Sequence, residues 1–188
     1  TAFASAETAS LSRYSNSWTL IASTNPTGAS GSTITAISPA GGSYWLQLRV
    51  RVGGVSKVLM TFNADRGSVY GWENFEIVAG VTAQSRADLG TSSAITLTSN
   101  DTVGSGHMIV ADLFFDVPAN DATFAYVHGD MVYVRNTLAD LTRQVVAGFY
   151  DGTSGVTSVG VIVDVSGGTL TGEINLFKMI PAMGRNTN

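Results

Sequence analysis

Residues 44–52 read YWLQLRVRV, and this stretch decides the fold. Leu46, Leu48, Val50 and Val52 recur at every second position, so in an extended chain they share one face, while Trp45, Gln47, Arg49 and Arg51 share the other. At the helical period the same residues would scatter around the axis and form no apolar stripe. The stretch is therefore a strand with one face in a core and one face wet.

Working outward, GGVS at 53–56 separates it from KVLMTFN at 57–63. A two-residue Gly-Gly hairpin would leave Val58, Met60 and Phe62 on the arginine face. A loop one residue longer, with a glycine in the left-handed position of a bulge, sets them beside Val50, Leu48 and Leu46, and this bulged hairpin is the expectation. Upstream, residues 18–23 form a short strand with Trp18 in the core, 25–32 a loop, and 33–38 a strand closed by PAGG. Downstream, 63–70 (NADRGSVY) is a turn, and 71–90 is mixed, with a possible strand at Phe75, Ile77 and Val78. Further strands are expected at 94–99, at 107–117, and at 124–135 with a break at Gly129-Asp130. Residues 136–140 suit one helical turn, 144–150 and 156–165 a hairpin around DGTSG, and 173–180 the last strand.

About ten strands at this spacing, with no helix alternating between them, predict an all-β fold, an antiparallel β-sandwich of jelly-roll type. Its expected bounds are 17–180, with a flexible N-terminal arm at 1–16 anchored by Phe3, Leu11 and Tyr14, and a polar tail at 181–188.

Composition narrows the function. The 188 residues contain no Cys, two His, 21 Gly and 13% charged side chains, with a formal net charge of −4. Without Cys there is neither a disulfide framework nor a thiolate nucleophile, and two histidines leave no Cys/His zinc site. Ten scattered Lys and Arg make no phosphate-tracking surface, so no nucleic-acid partner is expected. No apolar run is long enough for a helix to cross a membrane, and membrane insertion is not expected. Residues 1–16 lack the basic and apolar regions of a secretory signal. Thr1 following a removed initiator Met would make this nearly the whole gene product, made in a cytoplasm.

Candidate chemistry is sparse, and the expectation is that the chain is not an enzyme and carries neither cofactor nor metal. No Gly-x-Ser-x-Gly elbow occurs, so a Ser/His/Asp site would have to use His107 or His128, which read as ordinary strand residues. Glu73 with Glu76, and Asp112 with Asp116, read as solvated faces rather than a glycosidase pair. NADRG at 63–67 resembles the start of an EF-hand loop, but its glycine is one position off and no Glu closes it. An Asx-type turn with Gly67 at positive φ is the simpler reading. Trp45, Tyr70 and Trp72 remain as ligand or interface aromatics, since Trp and Tyr beside Asp and Asn can stack on sugar rings or fill a subunit interface.

Several segments together resemble a recurrent domain of tailed-bacteriophage virion proteins. They are WTLI (18–21), YWLQL (44–48), LMTFNADRGSVY (59–70) and GGTL (167–170) leading into EINLF (173–177). The resemblance spans residues 18 to 178 and is most specific from Phe62 to Tyr70, while 71–103 matches nothing in it. It implies a structural protein displayed on the particle surface as a tail fibre, baseplate, head fibre or decoration protein. Assembly would proceed in the host cytoplasm, as a homotrimer with capsid or tail proteins as partners. The alternative is a carbohydrate-binding module whose further partner is a host-surface glycan, held by Trp45, Tyr70 and Trp72.

Overall fold

The computed structural model describes residues 17–78, 81–98, 102–119, 123–136, 141–165 and 167–180. The arm with Phe3, Leu11 and Tyr14, the tail at 181–188 and residues 137–140 of the expected helical turn lie outside the described residues.

Among the described residues every regular element is a strand: β1 (Ser17–Thr24), β2 (Thr27–Ala29), β3 (Gly31–Ile34), β4 (Gly42–Gly53), β5 (Val58–Phe62), β6 (Tyr70–Val78), β7 (Val81–Ser92), β8 (Ile95–Thr96), β9 (Met108–Val117), β10 (Phe124–Val134), β11 (Leu141–Asp151), β12 (Val159–Val163) and β13 (Thr169–Ile180). All pairings between these strands are antiparallel. A nine-stranded sheet runs β1-β13-β4-β9-β10-β11-β6-β7, with β2 also on β13, and a four-stranded sheet runs β3-β12-β5-β8. The two sheets close over one core, as the alternation predicts for a sandwich.

The alternation in β4 holds: Tyr44, Leu46, Leu48, Val50 and Val52 are all fully buried, and Arg49 and Arg51 are exposed. Facing them across the core, β5 buries Val58, Met60 and Phe62, and β12 buries Val159, Val161 and Val163. The expected hairpin between β4 and β5 does not form. The strands belong to different sheets, so Val58, Met60 and Phe62 meet the β4 face from above the core and not from the side. Both arrangements satisfy the same alternation, and hence the pattern favours neither. Instead of pairing with either Val55 or Ser56, Val52 pairs with Leu170, and Ser56 bridges Val103. Gly54 does take the left-handed backbone, at φ 80°, where the chain turns toward the second sheet. The expected hairpin of 144–150 with 156–165 fails for the same reason, since β11 and β12 also lie in different sheets.

Three further expectations are corrected. Within the expected mixed segment 71–90, the described residues 71–78 and 81–90 are not mixed: β6 and β7 pair along most of their length at the edge of the large sheet. The segment at 124–135 is unbroken, because Gly129 serves a close approach rather than a turn. A Cβ there would stand 2.2 Å from the Asp112 carbonyl oxygen and 2.8 Å from the Leu113 Cα. Finally, Trp18 is not in the core; it is 38% exposed on the outer side of the large sheet.

Candidate functional site

In the FNADRGSVY segment, the sequence signal nearest to a motif, the structure shows a brace. The Tyr70 hydroxyl accepts the Phe62 N–H at 2.9 Å and faces the carbonyl oxygens of Asp65 at 3.0 Å and Phe62 at 3.2 Å. Asn63 Oδ1 accepts the N–H of Thr157 at 2.9 Å and of Ser158 at 3.3 Å, while its Nδ2 donates to Gly155 O at 3.0 Å. The Asx-type turn is present: Asp65 Oδ1 accepts the Gly67 N–H at 2.7 Å. Its positive φ falls at Asn63 (53°) and Ala64 (54°), however, and not at Gly67. The segment carries the chain from β5 in one sheet to β6 in the other and ties both to the loop before β12. Burial pushes the Tyr70 phenol well above its ordinary range, and burial, followed by the Asp65 carboxylate, raises that of Tyr150.

Beside that corner the inner face of the large sheet turns polar. Asn74 Nδ2 donates to Thr96 O at 2.7 Å, Gln144 Nε2 to Leu97 O, and the Tyr133 hydroxyl to Thr98 O at 3.1 Å. Three buried side chains thus satisfy carbonyls in and just after the short strand β8. Glu76, expected on a solvated face, is buried and pairs with Arg135 at 2.9 Å. Glu73 points to the opposite side of the same strand, so the two glutamates cannot act together.

The outer face of the large sheet is different in kind. Alternation turns Trp45, Phe114 and Phe177 outward at paired positions of β4, β9 and β13, and Trp18 of β1 joins them. The Trp45 ring lies 4.6 Å from Phe177, 6.0 Å from Phe114 and 6.1 Å from Trp18. Its Nε1–H donates to Asp112 Oδ1 at 2.9 Å. Beyond this cluster runs an apolar stripe: Val110 opposite Val132, and Val145 opposite Phe75, with Met108, Leu141 and Ile77 around them. Each of these seven is at least 38% exposed. Within the stripe the only ion pair among the described residues is Asp130 with Arg143, at 2.9 Å and largely exposed.

Among the described residues, two depressions open on this face. One, of about 360 Å³, lies beside Trp18 and Phe114 and holds Ser43, Asp116 and His128. His128 touches the Phe114 ring, and among the described residues no hydrogen bond joins it to Ser43 or Asp116. His107 sits at the turn into β9, its N–H donating to Gly104 O at 3.1 Å. The second depression, of about 450 Å³, lies over Ala147 and is walled by Tyr126, Phe149, Glu73 and Arg86. No group of three or more acidic or His side chains arranged for a metal occurs among the described residues.

The three aromatics singled out from the sequence do not come together. Tyr70 is fully buried in the brace, and Trp72 is buried with its Nε1–H on Ser92 Oγ at 3.2 Å. Trp45 alone faces outward, half-covered by its neighbours. Tyr126 and Phe149, which sequence reasoning missed, carried no signal beyond an outward position in an alternating strand. No protein family, curated protein or solved structure matches the chain.

Proposed function

We propose that the chain is a structural, non-enzymatic protein of a tailed-bacteriophage virion, displayed on the particle surface and acting by assembly as a homotrimer. What supports assembly is one observation, the stripe of Phe75, Ile77, Met108, Val110, Val132, Leu141 and Val145 on the outer face of the large sheet. A sheet face left to water alternates toward polar residues. An exposed apolar area bordered by Arg49 and Arg51 and crossed by the single Asp130–Arg143 pair suits a subunit or partner surface. The virion assignment rests on the sequence resemblance over residues 18 to 178, and the arm at 1–16 is the proposed anchor to a capsid or tail neighbour.

Light scattering of purified Val110→Lys/Val145→Lys tests the assembly surface. The variant is expected to fold and run as a monomer while the wild type runs as a trimer; a trimeric variant refutes this use of the face. Immunogold labelling of intact particles tests the location, and absence of label from head and tail alike refutes the virion assignment.

A second reading, a carbohydrate-binding module, is favoured by the depression over Ala147, which brings two aromatic rings beside charged side chains.

A further inference from the structure

We infer that the depression over Ala147 binds one ring of a neutral glycan, with Tyr126 and Phe149 as its apolar wall and Glu73 and Arg86 as its polar wall. The inference deepens the carbohydrate-binding reading and rests on it.

The geometry follows from strand register. Tyr126 of β10 lies directly opposite Phe149 of β11, and Phe149 opposite Gly71 of β6, which has no side chain. The two side chains therefore stand side by side on the outer face next to open space over β6, and the Tyr126 ring is backed by Phe124, stacked at 6.0 Å. Tyr126 is the most exposed aromatic among the described residues, at 57%. Two residues along each strand, about 7 Å away, the next outward row reads Ala147, Glu73 and Arg86 across β11, β6 and β7. Ala147 is the smallest side chain in that row, so the gap between aromatic wall and charged row stays open to the width of a sugar ring. At about 450 Å³ the depression falls within the ordinary range of ligand sites.

Chemistry selects the ligand class. A pyranose offers an apolar C–H face, which suits the ring faces of Tyr126 and Phe149, and a rim of hydroxyls that both donate and accept. Glu73 accepts from hydroxyls and Arg86 donates to them. Gln84 Nε2 already donates to Glu73 Oε1 and so helps hold the carboxylate in place. Asp88 adds a second carboxylate to the rim, which gives two negative charges against the one of Arg86. An anionic sugar would meet net repulsion, and an acyclic cation would leave the two ring faces without an apolar partner. A neutral hexose or N-acetylhexosamine meets neither difficulty.

The test is a glycan array of neutral hexose and N-acetylhexosamine chains together with sialylated and sulfated ones, probed with the full chain and three variants. The wild type is expected to retain neutral glycans. Tyr126→Ala and Glu73→Gln, both at exposed or half-buried positions and checked for unchanged thermal unfolding, are expected to lose about ten-fold or more in signal. Trp18→Ala, at the other depression, is expected to stay within about two-fold of wild type. Retention that survives in Tyr126→Ala and Glu73→Gln overturns this site and leaves the carbohydrate-binding reading standing, with loss in Trp18→Ala moving the ligand to the other depression and retention by all three variants moving it away from both. Retention of the anionic glycans alone overturns the ligand class. Retention of no glycan by the wild type overturns the site together with the reading beneath it.

Discussion

Replacing Tyr70 by Phe removes one oxygen from a fully buried corner and nothing else. The hydroxyl accepts the Phe62 N–H at 2.9 Å and has a single proton to donate, to Asp65 O at 3.0 Å or Phe62 O at 3.2 Å. The ring stays in its contact with Tyr150 at 5.1 Å, so no cavity opens. Losing the donated bond costs about 1 kcal/mol, and stranding a buried N–H costs about 1–3 kcal/mol more, for a total of about 2–4 kcal/mol. A domain of this size is stable by about 5–15 kcal/mol, so the change is a large fraction of the whole. Urea denaturation followed by tryptophan fluorescence measures it. The slope should be unchanged, because the surface exposed on unfolding is the same, and the midpoint should fall by about 1–2 M. A loss below about 0.5 kcal/mol at unchanged slope would mean that the Phe62 N–H finds another acceptor and that the hydroxyl is no brace.

Truncating Glu76 to Ala breaks the 2.9 Å pair with Arg135 inside the sandwich and is expected to cost about 3 kcal/mol, read as a lowered thermal midpoint. Gly129→Ala drives a Cβ into the Asp112 carbonyl at 2.2 Å, where both strands are pinned by neighbours. The variant should fail to accumulate as folded protein in a solubility and circular dichroism check. Stability should also fall in alkali. Tyr70 and Tyr150 have raised phenol pKa values when folded and titrate near 10 when unfolded. Below about pH 10 both states keep both protons and the full stability is present; above it the unfolded chain releases protons that the folded chain retains, so stability drops as pH rises. Tyr70→Phe should flatten that drop when denaturation midpoints at about pH 8 and about pH 11 are compared, and an equal drop in both proteins would refute the assignment to Tyr70.

Much of this architecture is legible in particular residues. Alternation in YWLQLRVRV named Leu46, Leu48, Val50 and Val52 as buried, and all four are, because side chains of an extended chain must point to opposite faces; Tyr44, on the same face, is buried with them and was not named. The same rule left Gly129 unread, since a glycine looks alike whether it serves a turn or yields to a neighbouring carbonyl. It also left Glu76 unread, because its Arg135 partner is 59 positions away and nothing local marks a charge that turns inward.

For the candidate site the division is sharper. Tyr70 and Trp72 attracted notice as aromatics beside a polar turn, yet the step from β5 in one sheet to β6 in the other turns both toward the core. Tyr126 and Phe149 drew none, and the pairing of β10 with β11 sets them side by side on the open face.

The sequence by itself determined that the chain is built of strands and which side chains share a face, because both depend on backbone geometry over a few residues. Only the tertiary structure decided which strands are neighbours. A strand can satisfy its apolar face beside another strand or across the core from it, and burial is equally complete either way. The choice between the two is made by contacts distant in sequence, and it placed β4 and β5 in opposite sheets and gathered the outer face from strands spread over the whole chain.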